Sequence, residues 1–272
     1  MIIRSNVASW FLFIAHVWKN TFNTLASVLK LVVGWAFMML AFSVHVFILL
    51  ALLPSQTARI KACNYFGTVL GSFFVWLSGC PFSVSGKENL DGDRPAIYVA
   101  NHTSILDIFI GIWQSPTGTC GVAKKSVIYY PFFGLLYLLS GHLRIDRGNT
   151  KSAIKSMEKM CGIVKKNKLS LFIWPEGTRS RSGRLMHFKK GVVHLALQTG
   201  LPVVPFVIQG AHKSWEPKKH TIRKHPIHLE VLPAMDTSHW KRDDIQGALD
   251  EMEQVFTDAL PMDQKPKRTF NA

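Results

Sequence analysis

The chain has 272 residues, of which 48% are hydrophobic and 18% are charged, and it carries a net charge of +15. This balance indicates one domain of catalytic size plus a segment that avoids water, and the basic excess favours an anionic partner. The lack of a nucleic-acid recognition motif excludes a nucleic-acid reader, and four scattered cysteines exclude a zinc module and favour reduced structural thiols.

Residues 1–80 form a basic and apolar block. All 17 acidic residues lie after residue 87, and the 23 residues 31–53 contain no charged side chain. That run is long enough to cross about 30 Å of hydrocarbon as one helix, whereas the apolar runs 7–18 and 66–80 are shorter. Buried core helices are the alternative, but tryptophans at the edges of these runs favour membrane contact. We expect a helical membrane anchor without a cleaved signal peptide.

After residue 80 the sequence has the pattern of an α/β domain. Short β-branched runs predict strands at 96–100, 169–174, 203–209 and 227–232, and apolar residues spaced by three and four predict helices at 151–166, 189–198 and 245–256. We therefore predict an α/β fold with a mixed central sheet flanked by helices, preceded by the N-terminal hydrophobic helical membrane-anchoring segment. The expected divisions are 1–80 for the anchor, 81–262 for the α/β domain and 263–272 for a polar tail.

A histidine and an aspartate, His102 and Asp107, stand five residues apart after the first predicted strand. A carboxylate beside an imidazole fixes the ring tautomer and stabilises the imidazolium, so such a pair can take a proton from an alcohol. Residues five apart on one helix lie about 140° apart around its axis. The side chains can therefore meet only if His102 precedes the helix and Asp107 lies in its first turns. Alternatively, Ser104 and Asp107 form a capping box and His102 is an ordinary loop residue.

The strand predicted at 169–174 runs into a loop whose residues suit an anion. Gly177 lets backbone N–H groups approach a phosphate, Thr178 offers a hydroxyl, and Arg179 presents two N–H groups to two oxygens. An exposed, charged loop is the alternative. Glu176 favours an organised site, because a carboxylate among several cations indicates a network.

A second basic element, residues 141–148, contains Arg144 and Arg147 on either side of Ile145 and Asp146. Arg147 is suited to bind a phosphate while Asp146 orients it, or the two residues form a structural ion pair. Further upstream, Lys124 lies just before the strongly apolar run 127–139. That run suits an acyl chain, the bilayer surface or a core helix.

Four motifs occur in a specific order: Asn-His-x4-Asp, Gly-x3-Ile-Asp-Arg, Pro-Glu-Gly-Thr-Arg-Ser and Leu-Pro-Val-Val-Pro. Together they resemble the motifs of the glycerolipid acyltransferase family, and the chain is most similar to 1-acyl-sn-glycerol-3-phosphate acyltransferases of the bacterial type. The resemblance implies that His102 is the general base and Asp107 its orienting partner. It implies a glycerol-phosphate site formed by Lys124, Arg144, Arg147, Glu176, Gly177, Thr178 and Arg179. Arg144 departs from the family, which often has an aromatic residue there, so the acceptor head group is open.

The same resemblance implies transfer of a fatty acyl group from a thioester to the sn-2 hydroxyl of 1-acylglycerol 3-phosphate, which forms phosphatidic acid. The donor is acyl-CoA or acyl-carrier protein, and we expect no metal and no other cofactor. The expected partners are lysophosphatidic acid, the acyl thioester and a bilayer with anionic lipids, without nucleic acid. The expected location is the cytoplasmic face of the bacterial inner membrane.

Other functions stay open on the sequence alone. One alternative is an acyltransferase whose acceptor is another lysolipid, such as a lyso-ornithine lipid, or glycerol 3-phosphate. A thioesterase in which His102 activates water belongs to a different reaction class. A third alternative is a non-catalytic membrane protein that binds anionic lipid. The motifs do not encode the acyl-chain length, the oligomeric state, or whether residues 31–53 cross the bilayer or lie in one leaflet.

Overall fold

The computed structural model describes residues 3–90, 94–129, 133–145, 150–216, 219 and 221–267, with side chains described from residue 21 onward except at 133 and 150–153. The helices are α1 (Ile3–Ala51), α2 (Gln56–Ser78), α3 (Leu106–Gln114), α4 (Phe133–Leu139), α5 (Thr150–Asn167), α6 (Gly191–Thr199), α7 (Ala211–Ser214) and α8 (Ile245–Ala259). The strands are β1 (Phe82–Ser85), β2 (Ile97–Ala100), β3 (Thr119–Lys124), β4 (Leu143–Ile145), β5 (Ser170–Ile173), β6 (Val203–Gln209) and β7 (Ile227–Val231).

The described strands form a seven-stranded sheet with the order β1-β7-β6-β2-β5-β3-β4. Neighbouring strands are parallel except for β6 and β7, which run antiparallel. The prediction of a mixed sheet is therefore confirmed, and the four runs predicted as strands are β2, β5, β6 and β7. The other three strands escape the sequence pattern, because β1 has four residues with alternating exposure, β3 contains Gly121 and β4 has only three residues.

Two apolar layers cover the sheet. Helices α5, α6 and α8 pack on one face, where Val99 and Leu171 are buried. Helix α3 and the C-terminal part of α2 pack on the other face, where Tyr98 and Phe172 are buried, while Ile60 near the start of α2 belongs to the first layer. Neighbouring residues of a strand face opposite layers, and burial on both faces explains why β2, β5 and β6 read as continuous apolar runs.

The helices predicted in the second half are α5, α6 and α8. The C-terminus of α6 is capped by Gly200, whose φ of 71° lies in the left-handed region that favours glycine. The C-terminus of α8 is followed by Pro261 after one residue, as the sequence predicts.

The apolar runs predicted at 7–18 and 31–53 belong to one long helix, α1, because no proline or glycine separates them. The run predicted at 66–80 lies largely within α2. Among the described helices, the stretch Thr21–Ala51 of α1 is the one that is long and apolar enough to cross a membrane, with a mean hydropathy of 2.2.

Helix α2 joins α1 to the α/β domain. It packs against α1 on one side and against α3 on the other. At Gly71 the two helices approach so closely that a Cβ atom would lie 2.3 Å from the carbonyl oxygen of Phe109 on α3. Helix α1 is also fixed near its middle, where the hydroxyl of Ser27 accepts the N–H of Ile222 at 3.3 Å. Helix α1 is therefore attached to the domain at Ser27 and through its packing against α2.

The expected tail at 263–272 begins inside the domain. Gln264 is 1% exposed, and its side chain accepts the N–H of Gly210 at 2.7 Å and donates to the carbonyl of Ile208 at 3.2 Å. A polar sequence conceals this role, because the side chain bonds to backbone groups at the end of β6. Gln264 thus contacts the α/β domain, and the division after residue 262 stays a prediction.

Candidate active site

The candidate acid–base pair lies at the carboxyl end of β2. His102 belongs to the turn between β2 and α3, and Asp107 is the second residue of α3. The Nδ1 atom of His102 lies 3.1 Å from Oδ2 of Asp107. The two side chains thus meet across the strand-to-helix turn, as the spacing predicts, and not along one continuous helix.

The Asp107 carboxylate is fully buried and held by backbone donors. Its Oδ2 accepts the N–H groups of Thr103 at 2.5 Å and Ser104 at 2.6 Å. Because the carboxylate accepts, Nδ1 of His102 carries the proton and Nε2 keeps its lone pair. The capping-box interpretation is also partly right, since Asp107 bonds the N–H of Ser104 while it faces His102. The Ser104 hydroxyl donates elsewhere, to the carbonyl of Trp215 at 2.8 Å.

Asn101 fixes the start of this turn. Its side chain is fully buried, donates to the carbonyl of Ile208 at 2.9 Å and accepts the N–H of Ile208 at 2.7 Å. These bonds continue the pairing of β2 with β6 for one residue past the strand end. His102 therefore follows a rigid residue, which restricts where its ring can point.

Glu176 lies beneath the same turn, with 1% exposure. Its Oε1 accepts the N–H of His102 at 2.7 Å, and the N–H of Ser180 donates to the carbonyl of His102 at 2.8 Å. Burial raises the pKa of Glu176 to about 8; the hydrogen bond from His102 opposes this, whereas the charge of Asp107 adds to it. Glu176 is therefore protonated at neutral pH, and it is turned towards the backbone rather than towards the cations of its loop.

The rest of this loop presents the groups expected for an anion. Gly177 has a φ of 75°, which favours glycine, and it turns the chain so that Thr178 is exposed. Arg179 is half-buried and makes no ion pair with any residue that the structure describes. Downstream, the N–H of Phe188 donates to Oε1 of Glu253 at 2.6 Å, which ties the loop to α8.

Trp174 closes one side of the His102 ring. The ring centroids lie 5.2 Å apart, with planes inclined by 34°. The indole Nε1 is buried and has no hydrogen-bond partner in the described part of the chain. The imidazole is therefore shielded from water by an apolar ring, and a buried donor stands next to it.

The second basic element lies further along the same sheet edge. Lys124 ends β3 and is exposed, while Arg144 is the half-buried middle residue of β4. Because Gly121 pairs with Phe172 and Ala123 pairs with Arg144, Arg144 stands in the same row as Trp174. Two strand spacings separate the latter two residues, about 10 Å. Arg147 and Asp146 lie outside the described residues.

His212 is a residue of this region that carries no sequence signal beyond its position after the fourth motif. Its ring packs against the loop at Gly183, where a Cβ atom would lie 2.5 Å from Cδ2 of His212. Its Nε2 lies 3.7 Å from Oδ2 of Asp263, and burial lowers the pKa of the ring. Asn101, Trp174 and Ser180 likewise have no local sequence signal for a role, because their contacts join distant parts of the sequence.

The four cysteines are all free and buried. Burial raises the pKa of the Cys120 thiol to about 12, so this group is protonated at neutral pH and unsuited to nucleophilic attack. Among the described residues, no group of three or more histidine, cysteine, aspartate or glutamate side chains is arranged to hold a metal ion.

Comparison with known proteins agrees with this geometry. Residues 81–209 match the Acyltransferase family, so the fold and the site define an acyltransferase. The chain is 40% identical over 252 residues to the 1-acyl-sn-glycerol-3-phosphate acyltransferase of Limnanthes douglasii, covering 93% of this chain and 89% of that protein. It is 37% identical over 155 residues to the enzyme of the same name from Escherichia coli K12, covering 56% and 61%. The chain belongs to the 1-acyl-sn-glycerol-3-phosphate acyltransferase family.

A solved structure supports the architecture. The crystal structure of the 1-acyl-sn-glycerophosphate acyltransferase PlsC from Thermotoga maritima superposes with a TM-score of 0.66 at 22% identity, covering 86% of this chain and 92% of that one. This similarity shows the fold. The apolar helix α1 and the family together indicate a membrane-associated enzyme.

Proposed function

We propose that this enzyme transfers a fatty acyl group from a thioester to the sn-2 hydroxyl of 1-acylglycerol 3-phosphate. The observation that carries this proposal is the 3.1 Å contact of His102 Nδ1 with the buried Asp107 carboxylate, next to a loop whose arginine makes no ion pair with the residues that the structure describes. The identity to acyltransferases named for this acceptor supports the choice of substrate.

The reaction follows from the protonation states. Nε2 of His102 takes the proton of the glycerol hydroxyl as its oxygen attacks the thioester carbonyl carbon. A C–O bond forms and the C–S bond breaks, and the departing thiolate recovers the proton from the imidazolium. Asp107 stabilises the positive ring between these two events. Acyl-CoA and acyl-carrier protein both supply the same thioester, and the step needs no acyl-enzyme.

The acceptor phosphate is assigned to the loop after β5 and the cations beside it. Arg179 and Thr178 bind the phosphate oxygens, with Gly177 leaving room for backbone donors. Lys124, Arg144 and Arg147 extend the positive edge towards β4. We assign Glu176 to a different task, the positioning of His102 through its backbone N–H, because its carboxyl group is buried and bonded there.

We infer that α1 and α2 lie in one leaflet of the membrane. A helix that crosses the bilayer is surrounded by lipid or other spanning segments over about 30 Å. Here α2 packs on α3 near Gly71. The anchor also bonds the domain at Ser27, near the middle of α1, and at Gln56, the first residue of α2, whose Nε2 donates to the carbonyl of Gly141 at 2.8 Å. A crossing α1 would draw the polar domain into the hydrocarbon. Because its thioesters are cytoplasmic, the domain faces the cytoplasm, at the inner membrane in a bacterial cell.

A purified-enzyme assay tests this function. The assay offers four acceptors: lysophosphatidate, the same lipid without phosphate, glycerol 3-phosphate and a second lysolipid. Each acceptor is tested with acyl-CoA and with acyl-carrier protein as the thioester donor, and the products are identified. We expect phosphatidate as the main product. Free fatty acid that lysophosphatidate does not suppress would establish a thioesterase, and preference for the acceptor without phosphate would reject the assigned head group.

Two variants and a control assign the roles. His102→Ala is expected to lower kcat by at least about 10³-fold at saturating acceptor, because the base is lost. Arg179→Ala is expected to raise the acceptor KM by about 10- to 100-fold with a smaller change in kcat. Arg242→Ala removes an exposed positive charge before α8 and is expected to change neither. The reverse pattern for the first two variants would exchange their roles.

A further inference from the structure

Three large apolar side chains lie exposed between β3 and β4. Tyr129, Leu135 and Leu138 are 79%, 50% and 55% exposed. Helix α4, which carries the two leucines, contains no charged residue. A surface helix of a water-soluble domain normally presents polar side chains outward. The outer face of α4 therefore needs an apolar partner.

The orientation of α4 is fixed by its inner face. The hydroxyl of Tyr137 lies 3.0 Å from the carbonyl oxygen of Gly121 and 3.3 Å from that of Leu143. Gly134 packs so closely on the preceding turn that a Cβ atom would lie 2.0 Å from the carbonyl oxygen of Ile128. Rotation of the helix would break these contacts, so the leucines cannot turn inward.

The exposed face of α4 adjoins the anchor. Helix α4 packs against α1, and the chain just after it is bonded to the start of α2 through Gln56 and Gly141. The neighbouring half of α1 is apolar and exposed too, with Val44 at 57% and Phe47 at 73%. Helix α4 and this exposed, apolar half of α1 are therefore neighbours.

We propose that Tyr129, Leu135 and Leu138 form a second bilayer contact, contributed by the catalytic domain, that inserts into the leaflet occupied by α1 and α2. The bilayer is favoured over a protein partner because the patch continues the lipid-facing side of α1. The exposed Lys124 and Lys125 precede the patch, as cations do where a protein passes from acyl chains to phosphate head groups. The contact also holds the carboxyl ends of β3 and β4 at head-group depth, where a lysolipid phosphate stands.

A labelled cysteine reports the contact directly. All four native cysteines are buried, so an added surface cysteine reacts selectively with an environment-sensitive dye in the folded protein. The full chain carrying Leu138→Cys is reconstituted with vesicles of phosphatidylcholine and phosphatidylglycerol, with and without brominated acyl chains. We expect blue-shifted emission that the brominated lipid quenches. The matched control, Gln254→Cys, is exposed on α8, which packs on the sheet face that α5 and α6 cover, and it is expected to stay unquenched.

Two results would overturn the proposal. One is a dye at position 138 that is as water-exposed as the dye at 254. The other is a blue shift of the dye emission that depends on protein concentration in detergent and not on added lipid. That result would make the patch a contact between two copies of the chain.

A double substitution that places two charges in the patch gives a second measurement, the partition of the protein into vesicles. Leu135→Asp with Leu138→Asp is expected to weaken partition into these vesicles by about 10- to 100-fold. Ile154→Asp is the control, because Ile154 is equally exposed, at 51%, but belongs to α5 and not to α4 or the anchor. Equal partition of the double variant and wild type would contradict the contact. Turnover of a short-chain acceptor dispersed without vesicles is expected to persist in the double variant, and its absence in wild type would count against the proposed function alone.

Discussion

The Oε1 atom of Glu176 accepts the backbone N–H of His102 at 2.7 Å, and the N–H of Ser180 returns a bond to the carbonyl of His102 at 2.8 Å. The two contacts join the turn that carries the proposed base to the loop proposed to bind phosphate. Both partners of His102 flank Arg179 in sequence. An anion that orders this loop is therefore expected to order the proposed base as well.

Glu176→Gln is expected to change the pH dependence of stability. Burial raises the pKa of Glu176 from 4.5 to about 8, so the folded protein holds one more proton than the unfolded chain between these values. Stability conferred by this group is complete below about pH 4.5 and is lost as pH rises through about 8. The glutamine variant lacks this loss, of the order of a few kcal/mol. Chemical unfolding of both proteins at pH 5, 7 and 9 measures the difference.

The same position separates a positioning role from a purely structural one. Glutamine still offers an oxygen to the N–H of His102, so Glu176→Gln is expected to keep kcat within about 10-fold. Glu176→Ala removes that acceptor and is expected to lower kcat with little change in acceptor KM. If the alanine variant raised KM alone, Glu176 would belong to the phosphate site as the family motif implies.

Asp107→Asn tests the orientation of the base. The amide oxygen of asparagine can still accept the N–H groups of Thr103 and Ser104, so the fold is expected to survive. The amide carries no charge to stabilise the imidazolium, and we expect kcat to fall by about 10³- to 10⁴-fold. Steady-state kinetics measure this, with Asp258→Asn, which alters an exposed carboxylate on α8, as the control. Wild-type turnover in Asp107→Asn would reject the dyad.

Local geometry explains which features the sequence predicts. The meeting of His102 and Asp107 follows from helix spacing alone, and β2, β5 and β6 follow from burial on both faces. Strand β4, with three residues, is too short for any period to show. The placement of Arg144 in the same row as Trp174 then depends on strand pairing, which no local pattern reveals.

Contacts across the chain explain what the sequence conceals. Glu176 reads as one of several charges in a basic loop, yet its partner lies 74 residues away. Trp174 reads as the end of a strand, and only the folded arrangement brings its ring to His102. Gln264 reads as part of a polar tail, and its burial depends on backbone groups exposed where β6 ends. These residues have ordinary sequence surroundings and specific partners.

Alanine is expected to have opposite effects on stability at two helical glycines, one at the close approach of α2 and α3 and one on the open surface of α5. A Cβ atom at Gly71 would lie 2.3 Å from the carbonyl of Phe109 and 2.8 Å from Cβ of Trp113. Gly71→Ala is therefore expected to lower the free energy of unfolding by about 1–3 kcal/mol. Gly162 lies inside α5 with no atom within 4 Å of an added Cβ, so Gly162→Ala is expected to raise it by about 0.5–1 kcal/mol. Thermal unfolding of both variants and the wild type in one detergent measures the changes in stability. Equal changes for the two variants would contradict the close packing at Gly71.

The amide of Asn101 predicts a stability change that reverses with pH. Both of its polar atoms bond Ile208, one as donor and one as acceptor, in a fully buried site. In Asn101→Asp an ionised oxygen faces the carbonyl of Ile208, so we expect a loss of about 3 kcal/mol or more at pH 8. The loss is expected to shrink as pH falls, because a protonated carboxyl can again donate to that carbonyl. Asn89→Asp, at a half-buried asparagine that donates to the carbonyl of Val231 at 2.8 Å, is the control and is expected to lose less. A pH-independent loss at position 101 would mean that side-chain shape rather than hydrogen bonding fixes the turn before His102.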